Sequence, residues 1–141
     1  MDRAMNGETP HRIVNPETLE PPVGYSHAVV AAPGKTVYLG GQTGHRPDGT
    51  LAGAGLLEQF DQASSNVIEA LTAAGGRPEH LVSMLIFVTD VEGYRVARRD
   101  FGLIYRKHFG SHYPAAALLE VKGLFDRDAK VELVCVAVVP E

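Results

Sequence analysis

The stretch Lys130-Val-Glu-Leu-Val-Cys-Val-Ala-Val-Val139 constrains the fold more than any other. Side chains alternate along a strand, so Val131, Leu133, Cys135, Ala137 and Val139 share one face. Val134, Val136 and Val138 make the other face apolar too. A strand apolar on both sides needs cover on both sides. The rest of the chain offers two helical segments, enough for one sheet face. The expected cover for the other is a homo-oligomer with open sheet faces packed around a symmetry axis; a loop or tail is the alternative.

Residues 1–12 are polar and without periodicity and read as a disordered tail, leaving 13–141 as a single domain. Ile13-Val14 starts a short strand that Asn15-Pro16 halts. Tyr25–Ala32 and Thr36–Gly41 read as two strands of a hairpin turned by Ala32-Pro33-Gly34-Lys35. Gly44 to Gly55 is a glycine-rich loop. Leu56, Phe60, Ala63, Val67, Leu71 and Ala74 recur at spacings of three and four and predict a helix over 56–74, which Gly75-Gly76 stops. Leu81–Thr89 reads as a buried strand. Asp90 is a good N-cap for a second helix, 92–109, with the stripe Tyr94, Ala97, Phe101, Ile104 and His108. Strands over 115–121 and 130–139 complete the order. This is an α+β arrangement: one mixed sheet with two helices on one face.

Several function classes recede at once. The net charge is −4, and no lysine or arginine cluster tracks a phosphate backbone, which argues against nucleic acid. The longest apolar run, Leu133–Val139, is too short to span a bilayer, and no signal peptide is visible. The single cysteine, Cys135, reads as a small core hydrophobe in a reduced, cytoplasmic protein. Gly24-Tyr-Ser-His-Ala28 approximates a nucleophile elbow but leads into a strand, where an elbow needs a helix. His108 and His112 have ligand spacing, but Gly110-Ser111 between them breaks the helix, so no metal site stands out. The basic run Arg95, Arg98, Arg99, Arg106, Lys107 reads as a solvated helix face. Tyr25 is either a packing aromatic or a pocket wall. Glu120, a lone carboxylate in the apolar ribbon 115–121, is either part of a site or solvated at a strand end.

Four motifs in order resemble the Rid (YjgF) superfamily of enamine/imine deaminases. They are Gly24-Tyr-Ser-His-Ala-Val29, Val37-Tyr-Leu-Gly-Gly-Gln-Thr-Gly44, Pro114-Ala-x-x-x-Leu-Glu-Val121 and Ala129-Lys-Val-Glu-Leu-Val-Cys-Val-Ala137. The resemblance runs from about Asn15 to Val139. It implies a chorismate-mutase-like fold, a homotrimer with ligand pockets between subunits, and hydrolysis of enamines and imines to a carbonyl compound and ammonia without cofactor or metal. It also implies site roles: Tyr25 and the backbone of Gly40 and Gly41 line the pocket, and Glu120 orients the water. Where the family motif carries a carboxylate-binding arginine, this chain has Ala116.

A guanidinium grips a carboxylate with two parallel hydrogen bonds, and a methyl group cannot. Removing one partner of a desolvated charge pair costs roughly 2–5 kcal/mol. The departure therefore predicts weak or absent turnover of 2-imino acids, unless Arg98 or Arg99 from the second helix supplies the missing cation. The expectation is a hydrolase of this class with altered specificity; the alternative is a non-catalytic trimer that binds a small metabolite. Ribonuclease activity, sometimes attached to this family, fits poorly with an acidic chain lacking a basic track.

Overall fold

The computed structural model describes residues 8–141. Its strands are β1 (Arg12–Val14), β2 (Ala28–Val30), β3 (Gly34–Tyr38), β4 (Gln42–Thr43), β5 (Leu81–Val88), β6 (Ala115–Glu120) and β7 (Val131–Pro140). Its helices are α1 (Leu56–Ala73), α2 (Val91–Val96) and α3 (Arg98–Phe109), with a single 3-10 turn at Pro78–His80. The main sheet runs β3-β7-β5-β6, and β4 also pairs β7. β5 and β6 are parallel and joined through α2 and α3; the other pairs of this sheet are antiparallel. This is the α+β architecture expected from the sequence.

β7 organises the sheet as its pattern requires. Val131, Leu133, Cys135 and Ala137 are buried on the helix side. There they meet Phe60, Val67 and Leu71 of α1 and Phe101 and Phe109 of α3 in one core. Phe60 and Phe101 stack with ring centroids 3.6 Å apart, which locks the two helices together. Burial pushes the Cys135 thiol up to about 12, so it remains an inert thiol in the core. Gln59 of α1 is buried yet satisfied. Its amide donates to Gly53 O (2.9 Å) and Asp128 O (3.1 Å) and accepts from Lys130 N (2.7 Å), tying two loops to the helix.

Four expectations need correction. Residues 8–12, expected in the tail, are placed in the structure. Residues 1–7 lie outside the described residues, but His11 is buried and Arg12 opens β1. His11 is held on both ring nitrogens: Nε2 to His80 O at 3.0 Å and Nδ1 by Ala32 N at 2.9 Å. Next, the hairpin over 25–41 does not form. β2 pairs with β1 in a separate two-stranded sheet, while β3 pairs with β7, because β7 offers a longer apolar partner than β2. The strand over 36–41 is also broken. Tyr38 pairs with Val136 and Gln42 with Leu133, so three residues oppose two, a bulge at Leu39-Gly40-Gly41. Finally, the second helix is interrupted at Ala97, whose ψ of 13° separates α2 from α3.

Candidate functional site

The first and third motifs meet at the free edge of β6. Ser26 N donates to Pro114 O at 3.1 Å, and Ser26 Oγ donates to Tyr113 O at 2.6 Å. Ser26 thus forms a one-residue parallel bridge with Ala115. Gly24, two residues before the bridge, and Ala116, one after it, line the same cavity.

Ala116 pairs with Met84 in the β5–β6 register, on the face toward the helices. Because α3 crosses this end of the sheet at a distance, a cavity of about 320 Å³ lies between them. Its floor is Met84, Ile86 and Ala116. Its walls are aromatic: Tyr94 from α2, Phe101 and Tyr105 from α3, and Tyr113 from the turn before β6. Tyr94 meets Phe101 edge-on at 4.9 Å, and Tyr105 stacks on Tyr113 at 5.0 Å. The buried Tyr105 hydroxyl donates to His112 O at 2.7 Å, and burial pushes its phenol well above the ordinary range. The hydroxyls of Tyr94 and Tyr113 make no hydrogen bond among the described residues. Arg98 and Arg106 of α3 stand at the same cavity, with Gly102 between them. A cavity of this size, largely apolar with a few polar groups, is at the small end of ligand sites.

The other expected site residues fall elsewhere in the single chain. Tyr25 lines a different cleft, of about 460 Å³, with Ser26, His112 and Tyr113; Tyr113 also lines the Ala116 cavity. Gly40 and Gly41 lie at the bulge, not in a strand. Gly41 lines an open cleft of about 560 Å³ with Thr43, His45 and Asn66. It approaches the Glu132 carboxylate so closely that a Cβ there would collide with it. Glu120 is exposed at the end of β6 and lines none of these cavities. Its Oε1 accepts from Val91 N at 2.9 Å, so the carboxylate caps the amino end of α2.

Sequence reasoning missed two arrangements. Arg98 and Arg106 are exposed, as a solvated helix face implies, yet both also line the Ala116 cavity, an arrangement that their spacing of eight along one helix allows. Thr43, His45 and Asp126 form a chain: His45 Nε2 lies 2.8 Å from Asp126 Oδ2, and Nδ1 lies 2.6 Å from Thr43 Oγ1. Asp126 accepts backbone and His45 hydrogen bonds that hold its carboxyl below the usual carboxylate range. The chain pins the loop after β4 to the loop before β7. Sequence offers no signal for it, because its members are far apart. Among the described residues no cluster of histidine, cysteine and carboxylates has a metal-binding arrangement.

The family model described as Endoribonuclease L-PSP matches residues 16–139. The chain belongs to the Rid (YjgF) family. The human 2-iminobutanoate/2-iminopropanoate deaminase is 31% identical over 115 residues, 81% of this chain and 79% of that one. The mouse protein of the same name is 34% identical over 118 residues, 81% of this chain and 80% of that one. Among solved structures, the Rid-family protein YyfB of Yersinia pestis superposes with a TM-score of 0.81 at 28% identity, covering 92% of this chain and 98% of that one. Among the described residues of this Rid protein, no helix is long and apolar enough to cross a membrane.

Proposed function

We propose that this Rid protein is a small-molecule hydrolase of the enamine/imine deaminase class, working as a homotrimer, with its substrate range altered by Ala116. The observation that carries the reading is the aromatic-walled cavity beside Ala116, where the family motif places its carboxylate grip. Several relatives bear the name 2-iminobutanoate/2-iminopropanoate deaminase, which gives the reaction class. In that reaction water adds to the C=N carbon, and the resulting carbinolamine expels ammonia to leave a carbonyl compound. The phenols of Tyr94 and Tyr113, unbonded at the cavity wall, are the groups able to hold that water or donate to the imine nitrogen.

Tyr25, Gly40, Gly41 and Glu120 do not converge on this cavity within one chain. A trimer that set the bulge of one subunit against the β6 edge of the next would bring Gly40 and Gly41 to that edge, where Tyr25 already stands, an intersubunit pocket. The acidic charge of −4 and the lack of a basic track leave RNA cleavage outside the proposal. The reading places the protein in the cytoplasm, a compartment compatible with its sole, buried, free cysteine.

A specific observation favours the second reading, a non-catalytic metabolite-binding trimer: the carboxylate expected to orient water is engaged as a helix cap. One experiment separates the two. An amino-acid oxidase generates imines from alanine, leucine and phenylalanine, and imine loss is followed with and without the protein. Faster loss of the larger imines, with little effect on the alanine-derived one, is the expected result. No acceleration of any imine leaves the binding reading. Alanine-derived turnover equal to that of a relative carrying the motif arginine removes the claim of altered specificity.

A further inference from the structure

We infer that Arg98 and Arg106 take over the anion grip that Ala116 cannot make, and that they hold the carboxylate of a ligand whose aromatic body lies against Ala116. This rests on the proposed cavity being the working site, and names the ligand class that fits it.

The basic residues of α2 and α3 divide into two groups. Arg95 pairs with Glu92, and Lys107 with Asp61, whose carboxyl hydrogen bonds to His108 and Lys107 hold below the usual carboxylate range. Those are ordinary surface pairs. Arg98 and Arg106 make no hydrogen bond or ion pair among the described residues, and both face the cavity. Arg99 does not. No acidic side chain lines this cavity, so two positive charges stand there without a counter-ion from the chain.

Their placement is specific. Arg98, Gly102 and Arg106 recur at intervals of four along α3 and so share one face. Eight residues span about 12 Å of helix axis, within the joint reach of two arginine side chains converging on one carboxylate. The residue between them has no side chain to block that convergence. A Cβ at Gly102 would meet nothing within 4 Å, so packing does not require glycine there. A mid-helix glycine weakens a helix, and an opening that a ligand fills accounts for one at this position.

The rest of the cavity selects the body of the ligand. Met84, Ile86 and Ala116 form an apolar floor, and the rings of Tyr94 and Tyr113 form the walls. Aromatic faces favour a planar apolar group. A volume of about 320 Å³ accommodates one ring and a short acid chain. The same methyl group that removes the motif's cation makes this room. The ligand class is an aryl-substituted 2-imino acid, or the 2-keto acid it becomes.

Titration calorimetry with phenylpyruvate, and with the neutral ketone phenylacetone as its carboxylate-free counterpart, tests the inference. The expected result is binding of phenylpyruvate about tenfold or more tighter than of phenylacetone, with the difference shrinking as salt rises. Arg98→Gln and Arg106→Gln each reduce that ratio, while Arg99→Gln leaves it unchanged. Gly102→Leu, which fills open space, weakens both ligands. Equal affinity for the two ligands, no binding of either, or a ratio untouched by Arg98→Gln and Arg106→Gln overturns the inference. Its failure is distinct from that of the hydrolase reading. Phenylpyruvate bound with no imine turnover removes the enzyme and keeps the anion grip. Imine turnover indifferent to the carboxylate does the reverse.

Discussion

On the proposed reading, the methyl group at position 116 does two things: it leaves out a cation, and it leaves space. Installing the arginine that the motif resemblance implies tests both. Ala116→Arg would put a third guanidinium into a cavity of about 320 Å³ and occupy the volume left for a large substrate. Turnover of alanine- or 2-aminobutyrate-derived imines should rise about tenfold or more, while that of the phenylalanine-derived imine falls. Competition between the two substrates in one vessel measures the ratio directly, and an unchanged ratio counts against Ala116 as the specificity determinant. Glu120 gives the complementary case. Its carboxylate caps α2 through Val91 N, so Glu120→Gln should lower stability by up to about 1 kcal/mol and leave turnover unchanged. A large loss of turnover with an unaltered denaturation midpoint would return Glu120 to the catalytic machinery, in the water-orienting role that the family motif implies.

At the scale of elements, the segments that join the sheet to its edge are held by buried histidines. His112 Nε2 donates to Leu81 O at 2.8 Å, and His80 Nδ1 accepts from Arg77 N at 3.0 Å. Burial lowers the pKa of both below the ordinary imidazole value of 6.5. The charged groups facing them are His11, Arg77 and Glu79, with Glu79 the only one that favours protonation. A histidine whose folded pKa lies below its unfolded value contributes stability above the unfolded value and loses it as the pH falls below. Urea midpoints should therefore drop as pH falls from 7 to 5, and His112→Gln should flatten the slope; a midpoint constant over that range refutes the assignment. How legible these elements were follows from the range of their determinants. α1, β5, β6 and β7 are written in local apolar periodicity, and the structure places them within a residue or two of the sequence reading. The hairpin over 25–41 was misread because turn residues announce a reversal but not which strand the second arm joins. The β3–β4 bulge escaped because it exists only relative to the register of β7. The cavity was half legible. The motifs named Ala116 and placed Arg98 on a helix, but only the packing of α3 over β6 shows that Arg106 joins them and that Arg99 does not.

At the scale of the whole molecule, β7 posed a question about cover, and the structure answers it for one face. Val131, Leu133, Cys135 and Ala137 lie under the helices. The opposite face carries Tyr38, 81% exposed, together with Leu85 and Leu119 at 36% and 43%. The register places Tyr38 beside Val136 and Leu85 beside Val134, so these side chains form a continuous apolar strip on the face away from the helices. Val134 and Val136 beneath them are half-buried, so the strip is only partly covered by residues 8–141. A strip of this kind on a lone chain invites association, and a closed ring of three buries it on every copy. Light scattering should give about three times the 15.2 kDa of one chain. Val134→Asp places a charge in the middle of the strip: in an isolated chain it stays half in water, whereas in a trimer it is buried without a partner, at a cost of several kcal/mol. The variant should keep the circular dichroism of the parent and scatter as a single chain. Because the proposed intersubunit pocket needs the bulge of a neighbour, it should also lose any imine turnover while still binding phenylpyruvate at Arg98 and Arg106. Turnover persisting in the dissociated variant would place the whole reaction within one chain.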